Sequence, residues 1–249
     1  MFRIKYVNPV GTGELDAYFA ERLEGCAGPD VSIDVSHLPL GAAPEGPFLP
    51  RLPFYQGVLF EQLKAAEDAG YDGVVIGCSG DPGLFEARRM LKIPVTAPLE
   101  AALYIAATMH PRVAILVADG WEAHVLYQDL ARHYGLAHLI SEILTVPMHY
   151  PDPELLARLM DSAPARGCEM VLERHRAVLV GDALALARGA LERGAGVIYA
   201  GCTLWTGEML NGLRRELGAP VIDPAQVAVM MAVSAARTRR GQRVSVGAA

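Results

Sequence analysis

Long hydrophobic runs are missing from this 249-residue chain. No apolar stretch reaches the roughly 20 residues that cross a bilayer. The opening Met1-Phe2-Arg3-Ile4-Lys5 also lacks the apolar core of a signal peptide. A cytosolic setting with no membrane partner is therefore expected. An excess of positive charge is missing too: 22 Lys and Arg stand against 28 Asp and Glu, a net charge of −6. That balance argues against a nucleic-acid partner. The arginines clustered towards the C-terminus (Arg237, Arg239, Arg240 and Arg243) are expected to form a solvated tail. Cysteine is scarce. Cys26, Cys78, Cys168 and Cys202 include no C-x-x-C pair and are too few for a disulfide framework in a chain of this length. The seven histidines form no H-x-x-x-H pair and no acidic loop resembles a calcium site, so no metal is implied.

What remains is a globular chain, 52% hydrophobic and 20% charged, long enough for two small domains or one large one. Short apolar, β-branched runs alternate with helical patterns from end to end. Ile4–Val7 is strand-like and is broken by Asn8-Pro9-Val10-Gly11-Thr12-Gly13. A helical stretch follows, with Leu15, Tyr18, Phe19 and Leu23 on one face. Val31–Val35 is a second strand, and Pro39–Pro53 a long loop punctuated by proline and glycine. A helix from Val58 to Ala69 stops at Gly70. The second half begins at Pro111 and repeats the order, with strands at Val113–Val117 and Ile143–Val146 around a helix at Glu122–Tyr134. Alternating strands and helices joined by short loops imply parallel sheets flanked by helices.

The repeat is most specific around two cysteines. Val74-Val75-Ile76-Gly77-Cys78-Ser79-Gly80 has its counterpart in Val197-Ile198-Tyr199-Ala200-Gly201-Cys202-Thr203. Each is followed by a Pro-Val pair (Pro94-Val95, Pro220-Val221) and a further proline (Pro98, Pro224). The partners lie 124 residues apart for the cysteines and 126 for both proline positions. A lone cysteine after a buried strand is usually a small core residue. Two at equivalent points of a repeat, both at the carboxyl ends of strands where ligands bind in open parallel sheets, are better explained by chemistry. Asp81, followed by Pro82, suits the cap and first position of a helix whose free N–H groups would favour an anion or a thiolate near Cys78. Gly80 allows close approach of a ligand. Thr203 and Thr206 offer hydroxyls and a cap for the helix that ends at Gly218. Asn8 is either a turn-former or a ligand contact, and Asp119 is the cap of the helix after it. Trp205, Tyr150 and Phe48 either line a pocket or pack in the core, and Cys26 and Cys168 lack symmetry and are structural.

Asn8-Pro9, Gly77-Cys78-Ser79-Gly80-Asp81-Pro82-Gly83-Leu84, Gly201-Cys202-Thr203 and Pro220-Val221-Ile222-Asp223 together resemble the aspartate/glutamate/hydantoin racemase superfamily, and most of all its hydantoin racemase branch. The resemblance covers nearly the whole chain. It implies an α/β protein of two pseudo-symmetric Rossmann-like domains, residues 1–97 with 223–249 carrying Cys78 and residues 98–222 carrying Cys202, with the active site in the cleft between them. It also implies a cofactor-independent isomerase in which Cys78 and Cys202 are the catalytic acid and base, while Asn8, Thr12, Ser79, Gly80 and Thr203 hold a small-molecule substrate. A homo-oligomer is the expected assembly. The chain departs from the hydantoin pattern at Asn8-Pro9-Val10-Gly11-Thr12 and at Gly201-Cys202-Thr203-Leu204-Trp205. Glutamate racemases carry a histidine where Leu204 stands, which disfavours glutamate. Two alternatives share the fold: a maleate-type cis-trans isomerase with one nucleophilic cysteine, and a small-molecule-binding homologue without catalysis.

Overall fold

The computed structural model describes residues 1–39, 52–118, 121–148, 152–205 and 207–246. Contacts divide the chain into two compact units. The first comprises Met1–Gly77, Asp81–Ala97 and Ala228–Ala249; the second comprises Cys78–Gly80 and Pro98–Val227.

The first unit is built on a four-stranded parallel sheet of order β2-β1-β3-β4, formed by β1 (Phe2–Asn8), β2 (Val31–His37), β3 (Gly73–Ile76) and β4 (Val95–Thr96). Around it lie α1 (Asp16–Leu23), α2 (Leu52–Asp68) and α3 (Leu84–Met90). Phe19 and Leu23 of α1, and Leu15 just ahead of it, are each one turn apart and buried, so this segment presents a single apolar stripe to the sheet. Tyr6 of β1 stacks on Phe19 at 5.4 Å between ring centroids. The strand expected at Val31–Val35 runs on to His37, and the helix expected from Val58 begins six residues earlier, at Leu52. Most of the Pro39–Pro53 loop, with Phe48, lies outside the described residues.

The second unit repeats the plan. Its sheet has the order β6-β5-β7-β8, from β5 (Val113–Val117), β6 (Ile140–Thr145), β7 (Val197–Ala200) and β8 (Val221–Ile222), all parallel. The helices are α4 (Pro98–Met109), α5 (Trp121–His133), α6 (Pro153–Ser162), α7 (Pro164–Val178), α8 (Leu184–Glu192) and α9 (Glu208–Leu217); a π-helical turn, Leu179–Ala183, joins α7 to α8. Helix starts and stops follow local chemistry. Asp152 accepts a hydrogen bond from the Leu155 N–H at 2.8 Å, with Pro153 at the first helical position. Gly218 closes α9 in the left-handed conformation. On one face of this sheet Ala114, Leu116, Ile198 and Ala200 pack with Ala183, Ala187, Trp205, Leu210 and Leu213. Strand alternation turns Ile115 and Tyr199 to the opposite face.

The repeat seen in the sequence extends to individual hydrogen bonds. Val74 and Ile198, equivalent residues, donate to Pro94 O and Pro220 O at 2.9 and 3.0 Å. Gly77 and Gly201 donate to Val7 O and Leu116 O at 2.8 and 2.7 Å. Arg88 and Arg214 reach from α3 and α9 to Val95 O and Val221 O, both at 3.0 Å. The same contacts are thus built twice at equivalent positions of the two halves.

One helix, α10 (Pro224–Val246), passes from the second unit into the first. Its arginines Arg237 and Arg240 stay about half exposed, as expected of a solvated segment, but they are also tied down. Arg240 forms a two-pronged pair with Asp72 at 2.9 and 2.8 Å, and Arg237 bonds Asp30 at 2.6 Å. Both guanidinium groups also lie over the Phe2 ring, Arg240 at 4.3 Å from its centroid. Charge excess over a short segment could not reveal this, because Asp30 and Asp72 are remote in sequence. No helix among the described residues is long and apolar enough to cross a membrane.

Candidate active site

Cys78 and Cys202 each stand two residues beyond the carboxyl end of a fully buried strand, β3 and β7. Neither is in a disulfide and both are partly exposed, as is Cys26, whereas Cys168 is buried. The glycine before each cysteine sits against the strand next to it. A Cβ on Gly77 would run into the Tyr6 ring, and one on Gly201 would lie 2.6 Å from Leu116 O and 3.2 Å from the Tyr127 ring. Only glycine lets these two chain segments turn so close to their neighbours. The Tyr127 phenol, on α5, donates to Gly201 O at 2.6 Å and so fixes the backbone just ahead of Cys202.

The loop after Cys78 differs from expectation. Asp81 does not cap a helix: its φ is +44°, a left-handed conformation unsuited to the extended N-cap. Its carbonyl accepts from Leu84 N at 3.3 Å, closing a turn, and the residue ahead of α3 is Gly83, itself left-handed at φ +67°. Helix α3 then spans only seven residues. The thiolate-favouring helix end that the sequence suggested is therefore not formed beside Cys78. A buried, left-handed aspartate three residues after the cysteine is a strained feature, costing about 1–2 kcal/mol, of the kind found where a loop is held in one shape.

The expected ligand-holding residues are distributed as follows. Ser79 is buried and accepts a hydrogen bond from the Tyr199 hydroxyl at 3.1 Å. A Cβ on Gly80 would meet Leu126 at 3.3 Å and Cys78 Sγ at 3.7 Å, so a side chain there would crowd the thiol. Ser79, Gly80, Tyr199 and Leu126 all belong to the second unit. Thr203 is buried. Asn8 ends β1 with only 2% of its surface exposed, and its amide Nδ2 has no hydrogen-bond partner among the described residues. An orphaned buried donor costs about 1–3 kcal/mol, which an incoming oxygen acceptor recovers. The Thr12 hydroxyl accepts from Glu14 N at 3.3 Å, capping a short 3₁₀ turn at Gly13–Leu15.

Beyond Cys202, the backbone N–H of Trp205 donates to Cys202 O at 2.9 Å, which closes a turn, and the indole lies in the core with no exposed surface. Trp205 is thus a core residue. The expected threonine cap of α9 is replaced by Gly207, whose N–H donates to Asp223 Oδ2 at 3.3 Å; Asp223 Oδ1 accepts from Ala225 N and Gln226 N at 3.0 and 3.1 Å. Burial pushes the Asp223 carboxyl upward against the pull of these donors. Thr206, Asp119, Gly120 and Tyr150 lie outside the described residues. Among the described residues no group of three His, Cys, Asp or Glu is placed to hold a metal ion.

Sequence reasoning gave no individual role to Tyr127, Tyr199, Asp223 or His175. The signal for Tyr199 was a lone hydroxyl-bearing side chain in an otherwise aliphatic strand. His175, on α7, lies edge-on to Trp205 at 6.0 Å between ring centroids. Its Nδ1 has no hydrogen-bond partner among the described residues, and burial lowers its pKa from 6.5 to about 4. The native state therefore keeps His175 neutral over a range where the unfolded chain takes up a proton. Stability falls as pH drops from about 6.5 to about 4, and at pH 5 this group alone removes about 2 kcal/mol relative to pH 7. Urea unfolding at the two pH values checks it: the stability gap between wild type and His175→Phe should shift by that amount in the variant's favour at pH 5. Parallel pH profiles would refute the assignment.

Three comparisons bear on this geometry. The family model described as Asp/Glu/Hydantoin racemase matches residues 4–232. The chain is 27% identical over 230 residues to the hydantoin racemase of Pseudomonas sp. (strain NS671), covering 92% of this chain and 84% of that one. It is 26% identical over 235 residues to the hydantoin racemase of Paenarthrobacter aurescens, covering 93% and 90%. Among solved structures, allantoin racemase from Klebsiella pneumoniae superposes with a TM-score of 0.72 at 26% identity, covering 94% of this chain and 87% of that one. Glutamate racemase from Francisella tularensis, at 14% identity and TM-score 0.59 over 96% and 82%, shares the fold. Since the matched span takes in both sheets and both cysteine loops, the chain belongs to the Asp/Glu/hydantoin racemase family.

Proposed function

We propose that this chain is a cofactor-independent racemase that inverts a carbon α to a carbonyl, acting on a hydantoin or a closely related amino-acid derivative, with Cys78 and Cys202 as its two acid/base groups. The observation that carries the proposal is the pairing itself: two partly exposed cysteines, neither in a disulfide, at equivalent ends of β3 and β7, in sheets with the same strand order. One cysteine starts as thiolate and the other as thiol. The thiolate takes the α-proton and becomes a thiol, leaving an enolate-like carbanion. The other thiol then returns a proton to the opposite face and becomes a thiolate, so proton and charge balance over the turnover.

The substrate oxygen on which charge develops needs donors. The Ser79 and Thr203 hydroxyls follow the two cysteines directly, and the Asn8 amide is a buried donor with a bond to spare. A donor of this kind is worth about 3–4 kcal/mol in the transition state. Thr12 stands near enough in sequence to serve beside Asn8. Hydantoins, with two carbonyls in one ring, have an α-hydrogen acidic enough for thiol chemistry, and the curated relatives act on them by name.

The substrate class is tested by incubating single enantiomers of 5-substituted hydantoins and of free amino acids with the purified protein and no added cofactor. Optical rotation should decay for hydantoins and persist for glutamate and aspartate. Decay for the free amino acids alone would overturn the hydantoin assignment.

A further inference from the structure

We propose that Tyr199 is a positioning residue for the Cys78 site: its phenol holds the Ser79 hydroxyl so that the serine proton is directed at the substrate oxygen on which charge develops. The inference rests on the reading of Ser79 as a substrate contact.

Tyr199 is buried without exposed surface in the four-residue strand β7, whose other members are Val197, Ile198 and Ala200. A phenol there is costly unless its hydroxyl is bonded. Strand alternation turns it away from the core face that holds Ile198, Ala200 and Trp205. Its hydroxyl reaches Ser79 Oγ at 3.1 Å across 120 residues of sequence. Ser79 is itself only 4% exposed.

A serine hydroxyl has one donor hydrogen and two acceptor lone pairs. When the phenol donates to Oγ, it occupies one lone pair and restricts the rotor, leaving the serine hydrogen for another acceptor. A donor set in place before the reaction needs no reorganisation as charge appears, and this is where such groups gain their effect. The bond also ties the residue after Cys78 to the strand that leads to Cys202. The device is one-sided. The position equivalent to Tyr199 in the first half, 124 residues earlier, is Val75, which has no hydroxyl to offer Thr203.

Tyr199→Phe removes the hydroxyl and keeps the ring. On whichever hydantoin the wild type racemises, kcat should fall about tenfold while KM changes less than twofold, as expected for loss of orientation in the transition state. Ser79→Ala should fall at least as far, and the double variant should be no slower than Ser79→Ala alone, since both changes remove one interaction. A second readout needs no substrate. With Ser79 released, iodoacetamide should alkylate Cys78 at least threefold faster, and Cys202 within twofold of wild type, by peptide mass spectrometry. Wild-type kcat with unchanged Cys78 alkylation, or multiplicative losses in the double variant, would overturn the assignment. If the wild type turns over no hydantoin, the substrate proposal fails while the alkylation rates still decide the role of Tyr199.

Discussion

Serine in place of either Cys78 or Cys202 should lower racemisation by about 10²–10⁴-fold, the range general acid–base groups contribute, and leave the unfolding midpoint nearly unchanged. The reasoning is chemical. A serine hydroxyl of nearly the same shape does not ionise near neutral pH, so it cannot remove the α-proton. Each single variant should fail in both directions, because a proton leaving one face must be replaced on the other. Neither thiol is in a disulfide and both are partly exposed, so exchanging sulfur for oxygen removes little packing. Cys168→Ser provides the contrast: it is buried among apolar residues of α7, and its replacement should reduce stability without touching the chemistry. Circular dichroism melts beside initial rates distinguish the two outcomes. A Cys78 or Cys202 variant that keeps more than a tenth of the wild-type rate would count against the acid/base roles.

Trp205→Ala should give the largest loss of stability. The indole has no exposed surface and fills the core beneath Cys202, against His175 and the buried residues of α8 and α9. Truncating a fully buried tryptophan costs about 3–5 kcal/mol, from lost apolar burial and the void left behind. For a chain of this size that lowers Tm by on the order of 10 °C. Trp205→Phe should lose less than half as much, because a ring still occupies the site. The turn that Trp205 closes onto the Cys202 carbonyl would loosen in the alanine variant, so activity should fall as well. Chemical denaturation of the three proteins checks the order; a loss under about 1 kcal/mol for alanine would mean that the site collapses around the gap.

The duplicated sheet was legible because it depends on local signals. Val113–Val117 is an uninterrupted apolar run, as strands covered on both faces must be, and Gly70 and Gly218 stop their helices through the left-handed conformation. The places of Cys78 and Cys202 were legible for the same reason, since each follows such a run. What the pattern hid depends on distant partners or on backbone choices that many sequences permit. Asp81-Pro82 has the composition of a helix start, yet the chain puts aspartate and then Gly83 in left-handed conformations and begins α3 later. Arg240 looked like part of a charged tail because Asp72, its partner, lies 168 residues away. The bond between Tyr199 and Ser79, 120 residues apart, leaves no trace in either segment alone. His175 is one of seven histidines, and only burial against Trp205 sets it apart.

The two-cysteine account is tested most directly by following deuterium during racemisation of a single hydantoin enantiomer in deuterated water. If one thiol removes the proton and the other supplies a deuteron, early product should carry deuterium in every molecule while the remaining substrate stays protonated. Deuterium appearing equally in substrate and product from the first turnovers would mean that one group serves both faces, and would contradict the pairing of Cys78 with Cys202.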